Sequence, residues 1–115
     1  MNIAIIGSRN FSNYSFMKKC ILNIIDTNNI DCIVSGGAKG ADSLAETFAQ
    51  EYNISTMIFK PNWQKYGRAA GVIRNTDIIN NADIVIAFPI GDSKGTYNSI
   101  NKAKKANKKV YIFEE

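Results

Sequence analysis

The chain has 115 residues, 45% hydrophobic and 21% charged, a balance that fits one globular domain over 1–115 and excludes a disordered segment. No apolar run approaches the roughly 18 residues of a membrane helix. The lack of histidine and the presence of only two cysteines exclude a His-based triad, a His general base and the usual structural zinc sites.

The pattern along the chain alternates strand and helix with no linker. Asn2 to Ile6 is a short apolar run stopped by Gly7, which predicts a buried first strand. It is too short and lacks the basic flank of a signal peptide, so a cytoplasmic protein is expected. Phe16, Cys20, Ile21, Ile24 and Ile25 recur at helical spacing. Asp31 to Ser35 predicts a second strand, ended by Gly36-Gly37. Leu44, Ala45, Phe48, Ala49 and Tyr52 form a second amphipathic stripe. Ile54 to Phe59 is a third strand, stopped at Lys60-Pro61. A loop containing Trp63 follows, then a third helix from about Gly67 to Asn81. Asp83 to Phe88 is a fourth strand, Gly95 to Ala106 a fourth helix and Val110 to Phe113 a last strand. Cys20 and Cys32 fall on a helix face and in a strand, as buried thiols do.

Strands separated by helices in this rhythm require parallel pairing through right-handed crossovers. The expected fold is α/β: a Rossmann-like three-layer sandwich with a five-stranded, mainly parallel sheet and helices on both faces. A strand order of 3-2-1-4-5 places a switch point between the first and fourth strands, and a flavodoxin-like order is the alternative.

In such a sheet ligands bind beyond the carboxyl ends of the strands. Those ends carry Gly7-Ser8-Arg9, then Ser35-Gly36-Gly37-Ala38-Lys39-Gly40-Ala41-Asp42, then Trp63 to Arg68, then Pro89 to Thr96. Glycine and the cations Arg9, Lys39, Lys65, Arg68 and Lys94 concentrate on this one edge. The second loop is the sharpest signal. Its glycines allow a tight turn and close backbone approach, and Gly40 opens a helix whose free N–H groups favour an anion such as phosphate. It is neither a Walker A loop nor GxGxxG. Asp42 either bonds ribose hydroxyls or stabilises the first helical turn. Gly95-Thr96 repeats the arrangement at the fourth helix. Trp63 either stacks on a base or caps the core. Arg74 either makes a bidentate contact to phosphate or pairs internally with Asp77. The net charge of +4 permits nucleic acid. However, the cations divide between these loops and the last helix, where Lys102, Lys104, Lys105, Lys108 and Lys109 suit the negative helix pole and no aromatics interleave.

Assembled, Gly7-Ser8-Arg9 with Phe11, Ser35 to Asp42, Trp63 with Tyr66 to Gly71, Arg74-Asn75 and Gly95-Thr96 give a chain that resembles the SLOG superfamily. That superfamily is named for its DNA-processing (Smf/DprA-like) and LONELY GUY members, and the match is to its small stand-alone YspA/YpsA-related branch. The resemblance covers nearly the whole chain. It implies a domain that binds a nucleotide or nucleotide-derived signal, such as an ADP-ribose derivative or cyclic nucleotide, for sensing or for sequestration in the manner of a phage counter-defence sponge. It also implies a homodimer or higher homo-oligomer. Gly7, Ser8, Arg9, Ser35, Gly36, Gly37, Ala38, Lys39, Gly40, Asp42, Trp63, Arg68, Arg74, Asn75, Gly95 and Thr96 are the expected ligand-binding residues, with no metal or cofactor. LONELY GUY enzymes cleave the N-glycosidic bond of nucleoside monophosphates with an Arg and a Glu. Arg74 matches that Arg, but Ser99 stands at the Glu position and Asn75 replaces an adjoining Lys. Binding is therefore expected over turnover, with a phosphoribohydrolase as the second reading and a nucleic-acid-binding module as the third.

Overall fold

The computed structural model describes residues 1–115. Five strands, β1 (Asn2–Gly7), β2 (Cys32–Ser35), β3 (Ser55–Ile58), β4 (Ile84–Phe88) and β5 (Lys109–Ile112), form one sheet in the order β3-β2-β1-β4-β5. Every neighbouring pair is parallel. The helices are α1 (Tyr14–Ile24), α2 (Ala41–Glu51), α3 (Trp63–Tyr66), α4 (Ala70–Asn80) and α5 (Lys94–Lys105). None is long and apolar enough to cross a membrane.

The three layers follow from side-chain alternation along the strands. Ile3, Ile5, Ile33, Ile84, Ile86 and Phe88 point to one face, where they pack on Met17 and Ile21 of α1 and on Ala45, Phe48 and Ala49 of α2. Ala4, Ile6, Val34, Val85 and Ala87 point to the other face and meet Ile78 and Ile79 of α4 with Ile100 and Ala103 of α5. The chain steps outward from β1 to β3 through α1 and α2. It then returns to the far side of β1 and steps outward again through α5. Right-handed crossovers in opposite directions put the two helix pairs on opposite faces. This is the 3-2-1-4-5 order, with its crevice at the carboxyl ends of β1 and β4.

The third helical segment differs from the expected single helix over 67–81. Asn62 caps a first short helix by accepting from the Lys65 N–H at 3.0 Å. Gly67, at φ 55°, ends it and a 3-10 turn follows, so the long helix begins only at Ala70. A glycine at positive φ ends this extra short helix, which lies where a loop was expected. Trp63 consequently lies on a helical turn and not in a loop. Cys20 is buried and Cys32 half-buried, and burial raises both thiols above their ordinary range.

Gly40 occupies a position that only glycine can fill. Its φ is 76°, and a Cβ there would stand 2.4 Å from the Ser8 carbonyl oxygen and 2.5 Å from that of Arg9. Backbone on backbone cannot yield as a flexible side chain can. Gly40→Ala is expected to lose on the order of 1–3 kcal/mol from the backbone conformation alone, and more from the clash. Urea unfolding of the variant against the parent measures the loss.

Candidate functional site

The crevice at the switch point holds two adjoining clefts. The inner one, about 270 Å³, is lined by Gly7, Ser8 and Arg9 after β1, by Ala38 and Asp42, by Arg74, Asn75 and Ile78 of α4, and by Ser93, Gly95, Thr96 and Ser99 around the start of α5. The outer one, about 650 Å³, is lined by Gly36 to Lys39, Ser43 and Glu46, by Lys60 and Pro61 after β3, and by Trp63. Arg9, Ala38 and Arg74 belong to both walls.

Most of the expected residues therefore converge, but three lie outside the two walls. Arg68 is exposed in the 3-10 turn. Gly40 packs against the loop after β1. Ser35 is fully buried, and its hydroxyl has no hydrogen-bond partner. Lys60, Glu46 and Ser93 also line the clefts, in addition to the residues expected from the sequence. The signal for Lys60 is its place immediately after the third predicted strand. Glu46 lies one turn into α2, where only the crossing of chain segments brings it to the cleft.

Ser8 organises the inner cleft. Its N–H donates to the Phe88 carbonyl at 3.2 Å, its carbonyl accepts from Phe11 at 3.1 Å and Ala41 at 3.2 Å, and its Oγ accepts from the Ile90 N–H at 2.8 Å. One residue thus joins the loops after β1 and β4 to the start of α2. Phe11 is 3% exposed and packs edge-on against Phe88 at 5.1 Å, so its part in the motif is to anchor this loop in the core.

The glycine loop differs from an open phosphate cradle. The first N–H of α2 is already bonded to Ser8, and the Ala38 N–H donates to Asp42 Oδ2 at 3.1 Å. The protein's own carboxylate occupies the position where the sequence placed an external anion. Asp42 is 9% exposed and none of the ion pairs involves it. Burial pushes its carboxyl above the usual range, opposed by the Ala38 N–H and by the fields of Arg74 and Arg9. Arg74 is half-buried and does not pair with Asp77. Its Nη1 donates to the Gly36 carbonyl at 2.9 Å and its Nε to Asn75 Oδ1 at 2.9 Å. Burial lowers its affinity for its proton, while Asp42 opposes the shift. A Cβ on Gly36 would stand 2.5 Å from Arg74 Nη1 and 2.9 Å from Asp42 Oδ2, so this glycine is what lets the guanidinium and the carboxylate share one wall.

The start of α5 is the more open of the two helix N-termini at the crevice. Ser93 at its N-cap caps no backbone N–H of the helix, and its Oγ donates instead to the Thr96 side chain, at 2.7 Å from Oγ1. Gly95 has nothing within 4 Å of where a Cβ would lie. A helix N-terminus without a side-chain cap presents its first N–H groups and the positive pole of its dipole. Ser99 is 4% exposed and lines the inner cleft. Asp92 lies in a separate depression with Glu114 and Glu115. Trp63 is 57% exposed and lines the outer cleft, so it does not cap the core.

The sheet order, the switch-point crevice and the glycine turns around it define a Rossmann-like domain of the SLOG type. The model of the YspA, cpYpsA-related SLOG family (YAcAr) matches residues 1–66, and the chain belongs to that family. It is 36% identical to the Gene 61 protein of Mycobacterium phage D29, in a match covering 70% of each chain. The fold is similar to the X-ray structure of DNA processing protein A (DprA) from Streptococcus pneumoniae, with a TM-score of 0.78, 21% identity and 96% of this chain covered. The chain spans about half of that protein, 49% of its length.

The state of Asp42 has a consequence for stability. Its folded value lies above its unfolded one, so folding favours the protonated form. The stabilisation is full below the ordinary aspartate range and is lost as pH rises through the raised value. Asp42→Asn keeps an acceptor for the Ala38 N–H without the charge. It is expected to be more stable than the parent at pH 7, with an advantage that shrinks as pH falls toward about 4. Denaturant titrations across that range read the difference.

Proposed function

We propose that this protein binds a nucleotide or nucleotide-derived signalling molecule across the two clefts, for sensing or sequestration. The observation that carries this reading is the meeting of Arg9 and Arg74 with the side-chain-uncapped start of α5 around one small polar cleft. Guanidinium groups and helix N-termini are both suited to phosphate. Lys39 and Lys60 add cations in the outer cleft, where exposed Trp63 offers a face on which a base can stack. The inner cleft brings hydroxyl, amide and carboxylate groups together without an aromatic ring, a lining suited to a sugar. Membership of the SLOG family supports the same class of ligand. An ADP-ribose derivative has the matching order of parts. A homo-oligomer sharing such sites between copies belongs to the same proposal.

A hydrolytic reading rests on Asp42, the one carboxylate in the inner cleft. Incubation with nucleoside monophosphates and ADP-ribose, followed by mass analysis, separates the two. Unaltered ligand recovered after denaturation is the expected result, whereas release of free base favours the hydrolase. Binding of single-stranded DNA with a steep salt dependence instead favours a nucleic-acid-binding role, because neutralised phosphates release counterions.

Gly95 supplies the cleanest test of position. A Cβ there meets no neighbour, so Gly95→Leu is expected to fold with an unfolding midpoint close to the parent's while its side chain obstructs the inner cleft that Gly95 lines. Calorimetric titration with ADP-ribose should then show binding lost. Retained binding in the folded variant places the ligand elsewhere.

A further inference from the structure

We propose that Asp42 is a charge filter, which makes the inner cleft selective for a phosphate carrying one negative charge, as in a phosphodiester or an internal pyrophosphate, over a doubly charged terminal phosphomonoester. The inference rests on the reading of these clefts as a phosphate site and names the class of phosphate they take.

The walls of the inner cleft carry two guanidiniums, Arg9 and Arg74, and one carboxylate, Asp42, a formal balance of one positive charge. Asp42 is fixed in place. It belongs to the first turn of α2, and its Oδ2 holds the Ala38 N–H at 3.1 Å. Its charge is not cancelled by contact, since neither guanidinium comes within salt-bridge distance. The charged groups whose fields reach it are Arg74 from α4, Arg9 from the loop after β1 and Glu46 one turn further along α2. The start of α5 brings only Ser93, Gly95, Thr96 and Ser99 to the cleft, none of which titrates there.

An ionised carboxylate only accepts hydrogen bonds. A dianionic phosphate also only accepts, so the two repel in a setting partly withdrawn from water. A diester removes one of the two charges permanently. A monoester removes one only by taking up a proton, which occurs near pH 6 and gives a P–OH able to donate to Asp42. Discrimination between the two ester classes should therefore depend on pH and on the charge at position 42.

Calorimetric titrations with adenosine 5′-monophosphate and with its methyl ester, at pH 8 and pH 5.5, test this. At pH 8 the methyl ester is expected to bind about tenfold more tightly, the equivalent of one pKa unit, and the preference should close at pH 5.5. Asp42→Asn should bring the two affinities together at pH 8. The inference is overturned if the monoester is the tighter ligand at pH 8, or if the folded Asp42→Asn protein keeps the parent's preference. Where Asp42→Asn does not fold, Asp42→Ser serves as a second uncharged variant for the same comparison at pH 8. If neither adenosine ligand nor ADP-ribose binds, the phosphate-site reading itself fails and the filter fails with it.

Discussion

The bonds made by Ser8 are the constraint on which the crevice depends. At the switch point of a doubly wound sheet the chain leaves β1 and β4 in opposite directions, and a gap opens between their loops. Ser8 closes the base of that gap with its backbone on Phe88, its side chain on Ile90 and its carbonyl on Ala41. The loops around the cleft are thereby tied to the two central strands. Phe11 and Phe88 hold the same region from the core side. Binding groups mounted on such a base need little ordering when a ligand arrives, and preorganisation of this kind lowers the cost of binding.

The close approach of α2 to β1 has two further effects. Only glycine fits at Gly7 and Gly40, because a Cβ at either would meet neighbouring backbone at less than 3 Å. The same approach carries Asp42 inward until its carboxylate is buried and bonded to the loop that precedes it. A buried carboxylate without a contacting cation costs stability, and here the cost falls at the wall of the inner cleft. The electrostatics of that cleft are consequently a near balance between Arg9, Arg74 and Asp42, not a uniformly positive pocket.

Much of this was legible in the sequence. Alternating strand and helix periods, stopped by Gly7, Gly36, Pro61 and Pro89, are local signals, and the layers and strand order that follow obey handedness rules that hold across proteins. The motifs around Gly7, Gly36, Arg74 and Gly95 were legible for a related reason. They sit at strand ends or helix starts, and a parallel sheet gathers its strand ends on one edge. The short helix from Trp63 to Tyr66 was less visible. A single turn is too short to show a helical period, and the Asn62 cap and the positive φ of Gly67 that bound it appear only in the structure.

The sequence by itself determined the fold class, the edge on which the glycine turns and cations gather, and the family, because each depends on local pattern or on motif spacing. Tertiary structure alone decided how those parts are used. The helix start in the Ser35 to Asp42 turn is bonded to Ser8, and the turn's Ala38 N–H is taken by Asp42, while the start of α5 is left without a side-chain cap. Arg74 faces Gly36 and not Asp77, and Lys60 and Glu46 join the outer cleft. The physical reason is that hydrogen-bond partners and charge balance are set by segments far apart in the chain, as Ser8 and Ile90 or Gly36 and Arg74 are, and no local pattern records which of them will meet.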